Sequence, residues 1–304
     1  PEVKVFEKGA VRLGELRAKL DALEGGFAAL EYSGVSLLSG FGGPRLNVFR
    51  AFTDNDVWFQ RQFWDSGLGH LTHRLEGTAE RPGEVPAIRQ SVRVCGSKAA
   101  GFMHTCDYMF PTDRWIVMDN LIEGFGPVPH LPRIGLIIGI APRFDRLCWL
   151  GRGPFESYPD RKSAAHVGRY EGTIDEQYQE YLRPQENGSK QDVRWAAFRD
   201  AAGRGIMIRA CGPLALSALR FTPWQLDDAR HENGEPRKVQ PLASREDAIV
   251  CLDAFQMGLG GASCGPAPLE KYLVPPGPWR FKVALGLLEP GDDPAVLGRT
   301  DFAL

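Results

Sequence analysis

The chain has 304 residues, a formal net charge of −2, and 43% hydrophobic and 24% charged residues, so a sizeable core is available in one large domain or two ordinary ones. Acids and bases are evenly mixed, which argues against a nucleic-acid surface, where a basic stripe would show. The longest apolar run, 134–140, is strand-sized and far short of the roughly 20 residues a membrane helix needs.

In chain order, short apolar runs between turn signals dominate. Residues 11–13 and 18–23 alternate, Glu24-Gly25-Gly26 turns, and 27–32 returns. Asp54-Asn55-Asp56 suits a helix N-cap ahead of 57–66, which stops at Gly67. Strands are expected at 88–94, 102–110, 115–122 and 134–140. Residues 151–195 read as loops presented on a scaffold, dense in polar and aromatic groups between turn signals. Further strands are expected at 194–198, 206–210, 214–221, 249–256 and 279–285, with 230–246 as a long loop. Thr222-Pro223-Trp224-Gln225 sets a capping threonine before proline at a first helical position, predicting a short helix over 223–229. No repeat or linker interrupts the pattern. It predicts a single all-β unit over 1–304, a large antiparallel β-sandwich with a few short helices.

Three separated motifs carry a resemblance. The first is Gly43-Pro44-Arg45-Leu46-Asn47-Val48-Phe49-Arg50-Ala51, leading into Thr53-Asp54-Asn55-Asp56. The second opens at Gly151-Arg152-Gly153-Pro154, passes through Asp160-Arg161, and includes Pro184-Gln185-Glu186-Asn187-Gly188. The third is Gln256-Met257-Gly258-Leu259-Gly260-Gly261, followed by Ala262-Ser263-Cys264-Gly265-Pro266. In this order they closely resemble the C-terminal "small chain" domain of family-two β-galactosidases. The resemblance implies a galactose mutarotase-like supersandwich. It also implies that the nucleophile and acid/base of galactoside cleavage, with magnesium and sodium, belong to a separate barrel domain. Partners would be a galactoside, the remaining domains of the parent and further copies of it; nucleic acid and membrane are not expected. No catalytic residue and no metal are assigned to this chain.

Glycoside hydrolysis needs two carboxyl groups flanking one bond, about 5 Å apart for retention and more for inversion. Glu156, Asp160 and Glu186 are the candidates; the alternative is that they pair with Arg152, Arg161 and Arg183 or cap turns. With Tyr158, Arg161, His166 and Asn187 they form one group of candidate carbohydrate contacts, of which Glu156, Asp160, Arg161, Glu186 and Asn187 are expected to cluster as a mutually satisfied network. The loop 258–271 supplies the other: Ser263 and the amides of Gly260 and Gly261 are suited to sugar hydroxyls. Some family members place a stacking aromatic where this chain has Cys264. Trp58, Trp64, Tyr158, Tyr170, Tyr178 and Tyr181 are either core or sugar platforms. Asp54-Asn55-Asp56 is expected to brace a loop.

A sugar epimerase would need a histidine beside a carboxylate. His166 lies between Asp160-Arg161 and Arg169-Tyr170, while His104 sits in a strand-like run. His70 and His73 are spaced to share a helix face, without a third metal ligand at a recognisable spacing. Six cysteines include no CxxC pair and mostly fall in apolar runs, predicting buried, reduced thiols and a cytoplasmic protein. A chain opening on Pro1 is expected to be part of a longer one. The alternatives to a β-galactosidase portion are a stand-alone carbohydrate-binding module and an aldose 1-epimerase-like mutarotase.

Overall fold

The computed structural model describes residues 4–6, 9–81, 83–229 and 242–302. Three antiparallel sheets form the body of the fold. The first joins β1 (Lys4–Phe6), β2 (Ala10–Leu13), β3 (Leu16–Leu20), β4 (Phe27–Tyr32) and β5 (Val35–Ser36) in sequence order. The second is nine-stranded. Its strands are β7 (Thr72–Arg81), β8 (Ala87–Cys95), β9 (Gly101–Thr112), β10 (Trp115–Phe125), β12 (Arg146–Gly153), β13 (His166–Thr173), β14 (Trp195–Arg199), β15 (Gly205–Ala210) and β18 (Trp279–Leu288). They are ordered β13-β12-β14-β15-β18-β10-β9-β8-β7. The third orders β16 (Ala215–Leu219), β17 (Ala248–Gln256), β11 (Arg133–Ile140) and β6 (Arg45–Asn47).

Alternation explains the layering. Strand β8 buries every second residue, so Ile88, Gln90, Val92 and Val94 point inward while Arg89 and Arg93 do not. One apolar cluster draws Leu16, Phe27 and Leu30 from the first sheet, Phe198, Ile208 and Leu285 from the second, and Ile138, Leu216 and Val250 from the third. The nine-stranded sheet is thus one layer of a sandwich, and the two smaller sheets face the same core. Isolated bridges from Phe27 to Gly43 and from Leu38 to Ile140 tie those smaller sheets together. Strand β11 is buried at all eight positions, which is why its sequence after Arg133 is continuously apolar rather than alternating.

Most expected elements are present. Helix α1 spans Val57–Ser66 and ends at Gly67, whose φ of 80° is the left-handed cap expected of glycine. Its Phe59 and Phe63 fill a second cluster with Phe49, Phe52 and Phe102. Helix α2 (Pro223–Asp228) starts from a capping box. The Gln225 amide donates to Thr222 Oγ1 at 3.1 Å, and the Thr222 amide donates to Gln225 Oε1 at 2.9 Å. A third short helix, α3 (Pro294–Leu297), is missing from the expected elements although it opens on a similar signal, a capping Asp293 before Pro294.

Several readings need correction. The strand expected over 18–23 stops at Leu20, because Asp21 Oδ1 accepts the amides of Leu23 and Glu24 and closes a turn. Residues 151–195 are not all loop: β12 runs through Gly153 and pairs with β13, an edge strand whose charges hide its pattern. His70 and His73 lie beyond α1, and His73 is on β7, so they share no helix face. Only Cys106 and Cys251 are buried among the six free cysteines; Cys95 and Cys148 are intermediate, and Cys211 and Cys264 are exposed. The loop expected over 230–246 falls, for 230–241, outside the described residues, as does His231.

Candidate functional site

All three sequence motifs meet at one end of the sandwich. The first arrives from β6. Arg50, with no exposed surface, donates from Nη1 to Met257 O at 2.8 Å and from Nη2 to Asp56 Oδ1 at 2.6 Å. Asp56 Oδ2 in turn accepts the Thr53 amide at 2.8 Å, folding Asp54–Asp56 into a single 3-10 turn. One buried guanidinium therefore joins the first motif to the third. The second motif joins through Glu186, whose amide donates to Ala51 O at 3.1 Å.

Two carboxylates of the second motif are structural hubs. Glu156 accepts from Arg161, the Tyr181 hydroxyl, the Gly188 amide at 2.9 Å and the Tyr158 hydroxyl at 3.3 Å. Burial raises the Tyr181 hydroxyl above its ordinary range, and the Glu156 charge adds to it, so the phenol stays a donor. Glu186 is buried and accepts from Arg133 Nη2 at 2.5 Å, while Asp253 Oδ2 lies 3.6 Å from Arg133 Nε. Burial raises Glu186, opposed by the cations of Arg133 and Arg50, and it pushes Asp253 up to about 7. Burial also works against the Arg133 charge, but Asp253 and Glu186 outweigh it and hold its pKa above the ordinary value. Lys190 next door is drawn down to about 8 by burial, with Glu156 opposing, and its ammonium lies 5.3 Å from the centre of the Trp149 ring.

Asp160 does something different. Its Oδ1 accepts the Leu259 amide at 2.9 Å and its Oδ2 the Gly260 amide at 2.7 Å. Asn55 reaches the same loop from the other motif. Its Nδ2 donates to Gly260 O at 2.9 Å, and its Oδ1 accepts the Ser263 hydroxyl at 2.7 Å and the Ser263 amide at 3.2 Å. Asn55 is thus a brace, as expected. The Gly260 and Gly261 amides, read from sequence as suited to sugar hydroxyls, are both engaged inside the protein, by Asp160 and by Pro266 O.

Between these hubs lies a polar pocket of about 260 Å³ lined by Asn55, Glu156, Arg161, Tyr181, Glu186 and Ser263, among others. Of the sequence candidates, Glu156, Tyr158, Arg161, Glu186 and Ser263 line it. The others do not. Asn187 is buried, donating to Gln185 O at 2.9 Å and accepting the Gln179 amide at 3.1 Å. His166 is exposed on the edge strand β13 opposite Gly153. Cys264 is exposed at the loop tip. Sequence reasoning missed Gln185 and Leu259 in the lining and Arg133 beneath it. The only trace of Arg133 was an arginine directly before the apolar run 134–140.

The expected aromatic platforms are mostly packing. Trp58 and Trp64 lean on the second apolar cluster, Tyr170 packs on Trp149, and Tyr178 on Phe221; only Tyr181 and the buried Tyr158 reach the pocket. His104 is buried against Asn120 Oδ1 at 2.9 Å, and His73 Nε2 lies 3.0 Å from Leu46 O. Among the described residues no three His, Cys, Asp or Glu side chains group to hold a metal, and no helix is long and apolar enough to cross a membrane. A larger groove of about 1040 Å³, lined by His130, Trp279 and a run of prolines, includes none of the candidates.

Comparison with known proteins gives the geometry a family. Residues 12–285 match the family described as Beta galactosidase small chain. The chain is 31% identical over 248 residues to a β-galactosidase of Priestia megaterium, covering 80% of this chain and 23% of that protein. It is 37% identical over 236 residues to a β-galactosidase of Vibrio cholerae, covering 71% of this chain and 21% of that protein. The chain thus spans less than a quarter of the length of these two relatives. Among solved structures, a GalM/aldose epimerase homologue from C. elegans superposes with a TM-score of 0.51 at 12% identity, covering 91% of this chain and 97% of that one. That likeness establishes the fold, an antiparallel sandwich of the galactose mutarotase-like kind. The chain belongs to the β-galactosidase small-chain family.

Proposed function

We propose that this chain is the C-terminal portion of a family-two β-galactosidase that hydrolyses terminal non-reducing β-D-galactose residues in the cytoplasm. In this reading the catalytic glutamates lie in a separate barrel domain. The chain shapes the mouth of the active site, binds carbohydrate weakly there and supports assembly of the parent, itself an oligomer. It acts as one unit over 1–304.

The observation that carries this reading is the state of the pocket carboxylates. Glu156 is occupied by four donors and Glu186 by Arg133. A general acid and a nucleophile must exchange protons and bonds with substrate, and carboxylates committed to holding loops are poorly suited to that. Beside the pocket, Phe155, Val57 and Leu182 are exposed, at 67%, 54% and 97%, next to or within two residues of lining residues. Large exposed apolar side chains around a polar centre fit a face that other parts of a longer protein cover.

The purified chain is expected to leave a chromogenic β-galactoside uncleaved, and the full-length parent to cleave it. Turnover by the chain alone that disappears with Glu156→Gln or Glu186→Gln would overturn the assignment. A second reading, a module that holds carbohydrate alone, rests on the 260 Å³ pocket, which is large enough for a single sugar ring. Galactose titration of the isolated chain decides between the two. The epimerase reading finds less support, because no histidine among the described residues lines the pocket.

A further inference from the structure

The loop after Met257 has little to hold it. Its internal bonds are local, from Gly261 N to Pro266 O and from Cys264 N and Gly265 N to Gly261 O. At its base, Gly258 N donates to Tyr272 O and Gly258 O accepts from Arg50 Nη2 at 3.3 Å. Beyond Gly258, two side chains, Asp160 and Asn55, each belonging to a different sequence motif, bond the loop to the body.

The fit is close enough to exclude alternatives. A Cβ on Gly258 would stand 2.6 Å from Asp160 Cγ, so glycine is required for the carboxylate to reach two successive amides. Gly260 has φ of 62°, and a Cβ there would stand 2.7 Å from Pro268 N, so glycine is needed where the amide turns toward Asp160 and the carbonyl toward Asn55. A carboxylate bridging two adjacent N–H groups is a charge-assisted contact, stronger than a neutral one. On the other side, Asn55 fixes Ser263, which with Leu259 is where the loop lines the pocket.

We infer that Asp160 and Asn55 are positioning residues: together they set the 258–265 loop so that Ser263 is presented at the galactoside side of the pocket. This rests on the reading of the pocket as part of a galactosidase active-site mouth. Asp160 itself does not contact sugar. It works through the loop backbone, so its loss should weaken substrate binding while the bond-breaking step, carried out elsewhere, proceeds at nearly its usual rate.

Two measurements test this. In the 304-residue chain, amide hydrogen exchange is followed in Asp160→Asn and Asn55→Ala. Exchange at Leu259 and Gly260 is expected to quicken at least about tenfold in the first, and at Ser263 in the second, with the sandwich strands unchanged. In the full-length β-galactosidase, Asp160→Asn is expected to raise KM for a chromogenic β-galactoside by about two- to tenfold while kcat stays within about twofold, and Asp160→Glu to recover part of the loss. Unchanged exchange at 259–260 overturns the clamp itself. Faster exchange with unaltered KM overturns the link to galactoside, whereas the reading of the chain as a non-catalytic portion falls only if the chain alone cleaves the galactoside and loses that turnover with Glu156→Gln. Should Asp160→Asn melt early, Asn55→Ala carries both readouts.

Discussion

Ile138, Val250, Leu285 and Phe198 lie in the core between the sheets, within one apolar cluster. At the loop end, Arg50, Asp56, Arg133, Glu186 and Asp253 are also buried, yet they are ionisable groups, Arg50 paired with Asp56 and Arg133 with Glu186 and Asp253. The first region is held by area removed from water, which is non-directional and shared among many neighbours. The second is held by a few contacts of fixed geometry, each compensating a large desolvation cost. A sandwich core is therefore expected to yield gradually to substitution, and the loop end to fail when one partner is lost.

The largest expected effect is at Arg133. Replacing it by alanine leaves Glu186 and Asp253 buried without their cation, and should cost about 3–5 kcal/mol in a urea melt. A loss under about 1 kcal/mol would show that the two regions obey the same rule. The next test is pH. Burial pulls His73 and His104 to about 4, below the ordinary 6.5. Between those values the unfolded chain binds more protons than the fold, so their contribution is present above 6.5 and drains as pH falls toward 4. Asp253, raised by burial to about 7 from 3.8, has the opposite sign: the fold binds its proton first, so acidification through 7 restores stability. Two histidines outweigh one carboxyl below 6.5, and His104→Gln should flatten the acid limb of a melting-temperature profile. A profile parallel to the wild type would remove His104 from the account.

Smaller effects sharpen the comparison. Ile138→Val, one methyl group in the apolar cluster, should cost about 1 kcal/mol by thermal or urea denaturation. Arg161→Ala should cost less than about 1 kcal/mol, because its side chain is 53% exposed and Glu156 keeps three other donors. If Arg161→Ala proves costlier than Ile138→Val, the charged hubs of the pocket wall belong energetically with Arg133 rather than with the surface.

The sandwich was legible because alternation and turn chemistry are local. Strand β4 falls at 27–32 and α1 at 57–66, as their apolar spacing and caps predict. Strands β7 and β13 were missed because edge strands have solvent on both sides and lose the alternating signal. The site was partly legible. Motif content brought Glu156, Arg161 and Glu186 together, and Asn55 emerged as a brace. Their partners could not be read: Arg133 pairs with Glu186 from 53 residues away, and Asp160 reaches Gly260 across 100. Pairings of that kind are set by tertiary packing, to which sequence spacing is blind.

The ten-residue strand β7 has one consequence of its own. Among the described strands it pairs only with β8, and apart from the Leu75 amide, which donates to Leu23 O at 2.6 Å, its other side is an open edge. Such an edge is a template for a second molecule to add a strand. Arg74, Glu76, Glu80 and Arg81 line it with charge, and the irregularity between Leu75 and Gly77 breaks its flatness. These features give β7 little packing value but keep a wide open sheet from growing edge to edge. A variant with Glu76 and Glu80 replaced by valine would keep its fold and lose its resistance to aggregation.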